Sequence, residues 1–222
     1  MDLAGTFASR FFISLERRAD RRTRFTQRLA ETGLSAEWLK AVPADRLGEE
    51  TRGFANPRKR ACSLSKRLAL RAGAKSQADA VLVFEDDAVF HPEFSTRAAA
   101  LHLPEDWGIF YFGCLHCERP EPVRPGLVRV RRAFDAQAFA VRRQYLPMVR
   151  ARMRGGPHGT RGDSSSDVLL SDLHPHIPTY AAFPNLVWQE FGWSDVARGH
   201  YSNYEPDGRQ NLWREAVEGL GG

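Results

Sequence analysis

Short apolar runs alternate along this 222-residue chain with segments whose apolar positions recur every three or four residues. Phe11-Phe12-Ile13-Ser14-Leu15 predicts a first strand, and Phe25 and Leu29, four apart, predict a helix that stops near Gly33. Trp38 to Val42 predicts a short second strand. Pro43, Gly48, Gly53 and Pro57 punctuate a loop from 43 to 57. Ser63 is expected to cap a helix with Leu64, Leu68 and Ala72 on one face. Ala80-Val81-Leu82-Val83-Phe84 is too short for a comfortable helix and predicts a strand buried on both faces, as in a helix-covered parallel sheet. Strand, helix, strand, helix, strand is the signature of an α/β fold.

Downstream, a short helix is expected from His91-Pro92 to Leu101, then a strand from Trp107 to Phe112 closed by Gly113. Pro120, Pro122 and Pro125 predict loop from 118 to 126, followed by strands at Leu127–Val130 and Ala136–Val141 and a helix from Gln144 to Met153 with Pro147 in its first turn. Gly155 to Gly162 is expected to be a lid or a connector. Ser164-Ser165-Ser166 should cap a helix carrying Asp167, and Ile177 to Phe183 is expected to be the last strand. Short extended pieces to Val196 and a helix from Asn211 to Leu220 complete the pattern.

The central strand ends abruptly in Glu85-Asp86-Asp87. In helix-covered sheets ligands gather beyond the strand carboxyl ends. Three carboxylates at the edge of a core are costly without positive charge among them. Either a hard divalent cation such as Mg²⁺ or Mn²⁺ sits there and shares its shell with substrate phosphates, or the acids form a solvated turn capping a helix entered at Ala88. The first helix opens on Glu16-Arg17-Arg18-Ala19-Asp20-Arg21-Arg22, at the same sheet edge; its arginines are candidates to hold a diphosphate or to form a solvated face. Asp167 either favours its helix dipole or aims a carboxylate into the crevice.

The net charge is +5, with lysine only at 40, 59, 66 and 75 and arginine elsewhere. That balance favours phosphates, nucleotides or an anionic membrane surface; no nucleic-acid-binding pattern appears, and nucleic acid is not expected as a partner. No apolar run approaches the length of a membrane span, and residues 1 to 10 lack the apolar core of a signal peptide, so a cytoplasmic location is expected, with peripheral contact at the inner membrane face. Cys62, Cys114 and Cys117 are too few for a disulfide framework. The Cys114-Leu115-His116-Cys117 pair is expected to be a loop of reduced thiols, zinc with His102 being the other option.

Several segments, in order, resemble glycosyltransferase family 25, the group of lipooligosaccharide and collagen galactosyltransferases. Ile13-Ser14-Leu15-Glu16-Arg17-Arg18 resembles its opening strand and Arg-rich helix, with Ser14 for the usual Asn and Glu16 for Asp. Ala41-Val42-Pro43-Ala44-Asp45 resembles its Ala-Val-Asp-Gly segment, and Cys62-Ser63-Leu64-Ser65-Lys66 its Gly-Cys-x-x-Ser-His, with Ala61 for Gly and Lys66 for His. Leu82-Val83-Phe84-Glu85-Asp86-Asp87-Ala88 is the best match. Asp106 to Gly113, Ala136 to Val141, Asp167 to Leu170, then Tyr180, Pro184, Gln189 and Gly192 to Val196, follow the family pattern to its end.

The resemblance implies a single-domain α/β fold of the GT-A type, a Rossmann-like mixed sheet flanked by helices. Residues 11–113 would form the nucleotide-sugar-binding half and 127–200 the acceptor-side half, with a tail at 201–222. It implies a UDP-hexose donor, galactose or glucose, transferred with inversion to a hydroxyl of a glycan, a lipid-linked glycan or another acceptor. The other outcome is a non-catalytic nucleotide-sugar binder. Asp87 would be the chief ligand of Mn²⁺ or Mg²⁺, with Glu85 and His200 in its shell. Glu85 and Asp86 would share ribose or metal-water contacts. Arg18, Arg21 and Arg22 would face the diphosphate, and Ser14, Leu15, Glu16, Ser65, Lys66, Gln189, Ser194 and Asp195 would complete the donor site. Asp167 would be the general base, with Asp163 the second candidate.

Overall fold

A computed structural model describes residues 2–47, 56–154, 165–196 and 199–201. Its elements in chain order are α1 (Leu3–Thr6), β1 (Ser9–Ser14), α2 (Ala19–Glu31), β2 (Glu37–Lys40), α3 (Pro57–Gly73), β3 (Ala80–Glu85), β4 (Ala88–Phe90), α4 (Phe94–Ala100), β5 (Ile109–Tyr111), β6 (Leu115–His116), β7 (Glu121–Arg124), β8 (Leu127–Arg129), β9 (Ala133–Phe134), β10 (Ala138–Arg142), α5 (Leu146–Met153), α6 (Ser166–Ser171), β11 (Thr179–Ala182), β12 (Val187–Gln189), β13 (Gly192–Ser194) and β14 (Gly199–Tyr201).

Eight strands form one sheet in the order β2-β1-β3-β10-β5-β11-β8-β7. β2, β1 and β3 are parallel, while β10 runs antiparallel between β3 and β5. The sheet is therefore mixed, and the carboxyl ends of β1, β3, β5 and β11 share one edge. Strand β3 is buried on both faces as its sequence predicts: Val81 and Val83 join one core cluster, Leu82 and Phe84 the other. The first core lies under α3, α5 and α6 and is largely aliphatic, whereas the second, under α2 and α4, is packed with aromatic rings from Phe7 to Phe112.

Three local expectations are corrected. The helix expected to begin at Ser63 begins at Pro57: Asn56 accepts from the backbone of Arg58 and Lys59, and Pro57 fits the first turn, where its missing N–H costs nothing. Ser63 is buried mid-helix and donates back to Lys59 O. The stretch expected to be loop around Pro120 and Pro122 contains edge strand β7, where a residue without an N–H is tolerated on the solvent side. Ala88 enters a strand and no helix, so Asp86 and Asp87 occupy the turn between β3 and β4 as buried side chains. The lid or connector at 155–162 and the helix at 211–220 lie outside the described residues.

Candidate active site

Sheet register gathers the acids' neighbours. Ile13 pairs with Glu85 between β1 and β3, so Ser14 comes beside Asp86 and donates to its Oδ2 at 2.5 Å. On the other side the backbone carbonyl of Gln137, the residue before β10, accepts the Glu85 N–H at 2.8 Å. β12 pairs with β4 with Gln189 opposite Ala88, and Gln189 Nε2 donates to Asp87 Oδ2 at 3.0 Å. That register depends on Gly113, where an added Cβ would meet the Val187 carbonyl oxygen at 1.7 Å. With no side chain there, Leu186 and Val187 both donate to Phe112 O, which fixes where β12 begins.

Two cations reach the acids from opposite flanks. Arg21, in the first turns of α2, places Nη1 3.2 Å from both Asp86 Oδ1 and Asp87 Oδ2, while Nη2 donates to Trp193 O. Lys66, from α3, is 1 % exposed and sets Nζ 2.5 Å from Glu85 Oε1. Burial opposes the Lys66 charge, but the Glu85 carboxylate beside it more than compensates and holds the ammonium above its usual range. Burial raises Glu85, Asp86 and Asp87 alike; Lys66 opposes the rise at Glu85, Ser14 and Arg21 oppose it at Asp86, and Asp86 adds to it at Asp87. Much of the positive charge that the sequence assigns to a metal is thus supplied by the chain itself.

The compensation is incomplete. Asp87 Oδ1 is buried and has no hydrogen-bond partner, an arrangement native interiors rarely keep without an ion or water. Among the described residues no three His, Cys, Asp or Glu side chains stand together as a metal cage. A small hard cation does not require one: Mg²⁺-like ions are held by one or two carboxylates plus substrate phosphates. The orphaned oxygen of Asp87, with Glu85 on the same strand end, fits that donor set.

Around these groups opens a cavity of about 1080 Å³ at the carboxyl ends of β1 and β3. Of the residues assigned from sequence, Ser14, Leu15, Arg21, Ser65, Lys66, Glu85, Asp86, Asp87, Asp167, Gln189, Ser194 and Asp195 line it. Asp167 enters from the first turn of α6. Glu16, Arg18 and Arg22 are not among the lining residues. Glu16 pairs with Lys40 at 2.5 Å, Arg18 binds Asp20 and Asp195, and Arg22 donates to Leu15 O and Glu16 O while stacking on Trp38 at 4.2 Å. Asp163 and the side chain of His200 lie outside the described residues. Arg17 and Arg18 outweigh burial to hold Asp195 below the usual carboxylate range, and Arg28 does the same for Glu190 at 2.5 Å. These pairs fasten the segment 190–195 to α2 and to the turn that enters it, along one rim of the cavity.

Sequence reasoning missed Gln137 and the wall residue Trp193, 48 % exposed beside Arg21. Gln137 carries no chemical signature; the pairing that places it is legible only in the sheet. Cys62 also lines the cavity, but burial pushes its thiol up to about 12, which makes it a poor nucleophile at neutral pH. Cys114 and Cys117 are free; Cys114 is buried with its Sγ 3.6 Å from His116 Nε2.

The family model for glycosyltransferase family 25 (LPS biosynthesis protein) matches residues 7–118, from β1 through the acidic strand end to β6. The chain belongs to glycosyltransferase family 25. No curated protein matches it in sequence. Among solved structures, apo-form glycosyltransferase GlyE of Streptococcus pneumoniae TIGR4 is similar over 94 % of this chain and 63 % of its own, with TM-score 0.50 and 10 % identity. Galactosyltransferase LgtC, solved with donor and acceptor sugar analogs, is similar over 86 % of this chain and 91 % of its own, with TM-score 0.49 and 12 % identity. A glycosyltransferase involved in glycosylation of the major capsid of PBCV-1 follows at 79 % and 83 %, TM-score 0.47 and 12 % identity. The family 25 chain has the mixed α/β architecture of GT-A glycosyltransferases.

Proposed function

We propose that this family 25 member transfers a hexose, galactose or glucose, from a UDP-sugar to an acceptor hydroxyl with inversion at the sugar carbon, in the synthesis of a cell-surface glycan. The observation that carries the reading is the buried, unpartnered Asp87 Oδ1 at the floor of a cavity that Asp167 also enters. Residues 11–113 form the donor half and 127–200 the acceptor half, and the cavity draws its walls from both.

Asp87, with Glu85 beside it and His200 as a further candidate, would hold Mn²⁺ or Mg²⁺. Such an ion, when bound, neutralises charge developing on the departing diphosphate. Asp86, fixed by Ser14 and Arg21, would meet the ribose or a water in the shell of the ion. Asp167 accepts the proton of the acceptor hydroxyl as its oxygen attacks the anomeric carbon and the bond from that carbon to the β-phosphate oxygen breaks; UDP leaves on the opposite face. Asp163 is the second candidate for that role. Three free cysteines agree with a cytoplasmic site of action, and no helix of the described residues is long and apolar enough to cross a membrane.

The Lys66–Glu85 pair favours one competing reading, a binder without turnover, because it occupies a carboxylate of the acidic strand end. Release of UDP from a UDP-hexose on adding a glycan acceptor separates the two. Asp167→Asn should retain donor affinity and lose about 10²- to 10⁴-fold in transfer. Transfer surviving in that variant would move the base elsewhere; donor binding without release by the wild type would establish the binder.

A further inference from the structure

We infer that Asp135 holds a hydroxyl of the donor hexose. The inference rests on the transferase reading above and adds to it a residue that binds the sugar itself. Asp135 lines the cavity beside Ala136 and Gln137. It belongs to the connection from β9 to β10, and its φ of 62° makes it the sole non-glycine residue in the left-handed region among the described residues. At 33 and 126, which share that region, the chain has glycine, the residue that adopts it without steric cost. Asp135 lies outside any turn, so no chain reversal demands the conformation. Its neighbours on both sides impose it. Phe134 pairs with Leu115 between β9 and β6. Gln137 O accepts the Glu85 N–H, and Gln137 Nε2 donates to Val187 O at 3.3 Å. A costly backbone conformation persists where its surroundings over-determine it, and such residues cluster at ligand sites.

The place of Asp135 in the sheet selects the hexose as its ligand. β10 runs antiparallel to β3 with Ala138 opposite Phe84, so the residues that enter β10 run beside the acidic strand end, to which the transferase reading assigns the diphosphate. β9 packs against α6, whose first turn carries Asp167, the base for the acceptor hydroxyl. The hexose has to span these two points, because its anomeric carbon is bonded to the β-phosphate oxygen and is attacked by that hydroxyl. The connection that holds Asp135 runs between the strand packed on α6 and the strand paired with the acids, along that span. An ionised carboxylate only accepts hydrogen bonds, and each hexose hydroxyl has one to donate. A carboxylate fixed by its backbone therefore meets the sugar without first being ordered by it.

UDP carries the base, ribose and diphosphate of the donor without the hexose, so it is the control. The test is calorimetric titration of UDP-galactose, UDP-glucose and UDP, all with Mn²⁺, into the full chain as wild type, Asp135→Gly and Asp135→Asn. Glycine accepts the left-handed backbone and removes the carboxylate; asparagine also tolerates that backbone and removes only the charge. The wild type should bind one UDP-hexose more tightly than UDP. Asp135→Gly should weaken that UDP-hexose about 10- to 100-fold, Asp135→Asn should weaken it less, and both should bind UDP as the wild type does. The inference is overturned if the hexose adds nothing to wild-type affinity, or if both variants bind the UDP-hexose like the wild type. It is also overturned if they lose UDP in equal measure, which would make Asp135 a nucleotide contact or a support of the fold. Failure of the transferase reading shows elsewhere: the wild type itself then binds neither UDP nor a UDP-hexose, and the inference falls with it.

Discussion

The acidic strand end is met from two flanks, and the two solutions differ. On the α2 side Arg21 spreads one guanidinium over Asp86, Asp87 and the Trp193 carbonyl, so a single planar fork spans three acceptors on two different segments. On the α3 side Lys66 offers Glu85 one point contact and is itself almost fully enclosed. A rigid fork ties elements together, whereas a point charge on a flexible stem neutralises one group without fixing its neighbours. The difference is a division of labour: Arg21 ties the cavity wall at Trp193 to the acids, and Lys66 sets the charge of the cavity floor. Asp87 Oδ1 falls between them, reached by neither.

Removing each cation in turn sharpens that contrast. Arg21→Met should cost most, about 3–5 kcal/mol by urea denaturation, because it leaves two buried carboxylates facing one another. A loss under 1 kcal/mol would show that Arg21 does not carry the wall. Lys66→Met should cost less, roughly 1–3 kcal/mol, since the Glu85 side chain is 24 % exposed and water can reach it. Lys66→His should recover part of the loss below the imidazole pKa, at about pH 6; equal stability of the His and Met variants there would remove the electrostatic account of this flank.

A pH experiment compares both flanks at once. Asp86, Asp87 and Glu85 all lie above their ordinary values in the folded protein. The native state therefore binds protons more readily than the unfolded chain, and the acids' contribution to stability falls as pH rises from the ordinary carboxylate range through their raised folded values. Added Mn²⁺ should raise the melting temperature by several degrees at pH 7 and by less at pH 4.5; the opposite order would contradict the orphaned carboxylate as its ligand. The smallest effect belongs to the rim. Arg18→Gln, which loosens the Asp195 latch, should change stability by no more than about 1 kcal/mol, and thermal melting can detect a larger, contradicting shift.

These contrasts mark how far the chain could be read before folding. The two-faced burial of β3, the acids at its end and the resemblance running through residues 82–88 were legible because strand period and local composition are carried by neighbouring residues. The acids' partners were harder. Arg21 is 65 residues before Asp86, Gln189 is 102 after Asp87, and only register and the bare Gly113 bring the latter in. An arginine-rich helix start gives no sign of which guanidinium turns inward, so Arg18 and Arg22 looked like equals of Arg21. The start of α3 was missed because Ser63 offers a cap signal although Asn56-Pro57 supplies a stronger one seven residues earlier. The antiparallel β10 was not ordered beside β3 by any local pattern, yet it places Gln137 against Glu85.

The most direct test is calorimetric titration of UDP-galactose, UDP-glucose and UDP into the wild type and Asp87→Ala, each with and without Mn²⁺. The account predicts that one UDP-sugar binds the wild type in a manganese-dependent way and that Asp87→Ala abolishes the dependence. Donor binding unchanged by manganese, or unchanged by loss of Asp87, would contradict the assignment of the acidic strand end as the donor and metal site.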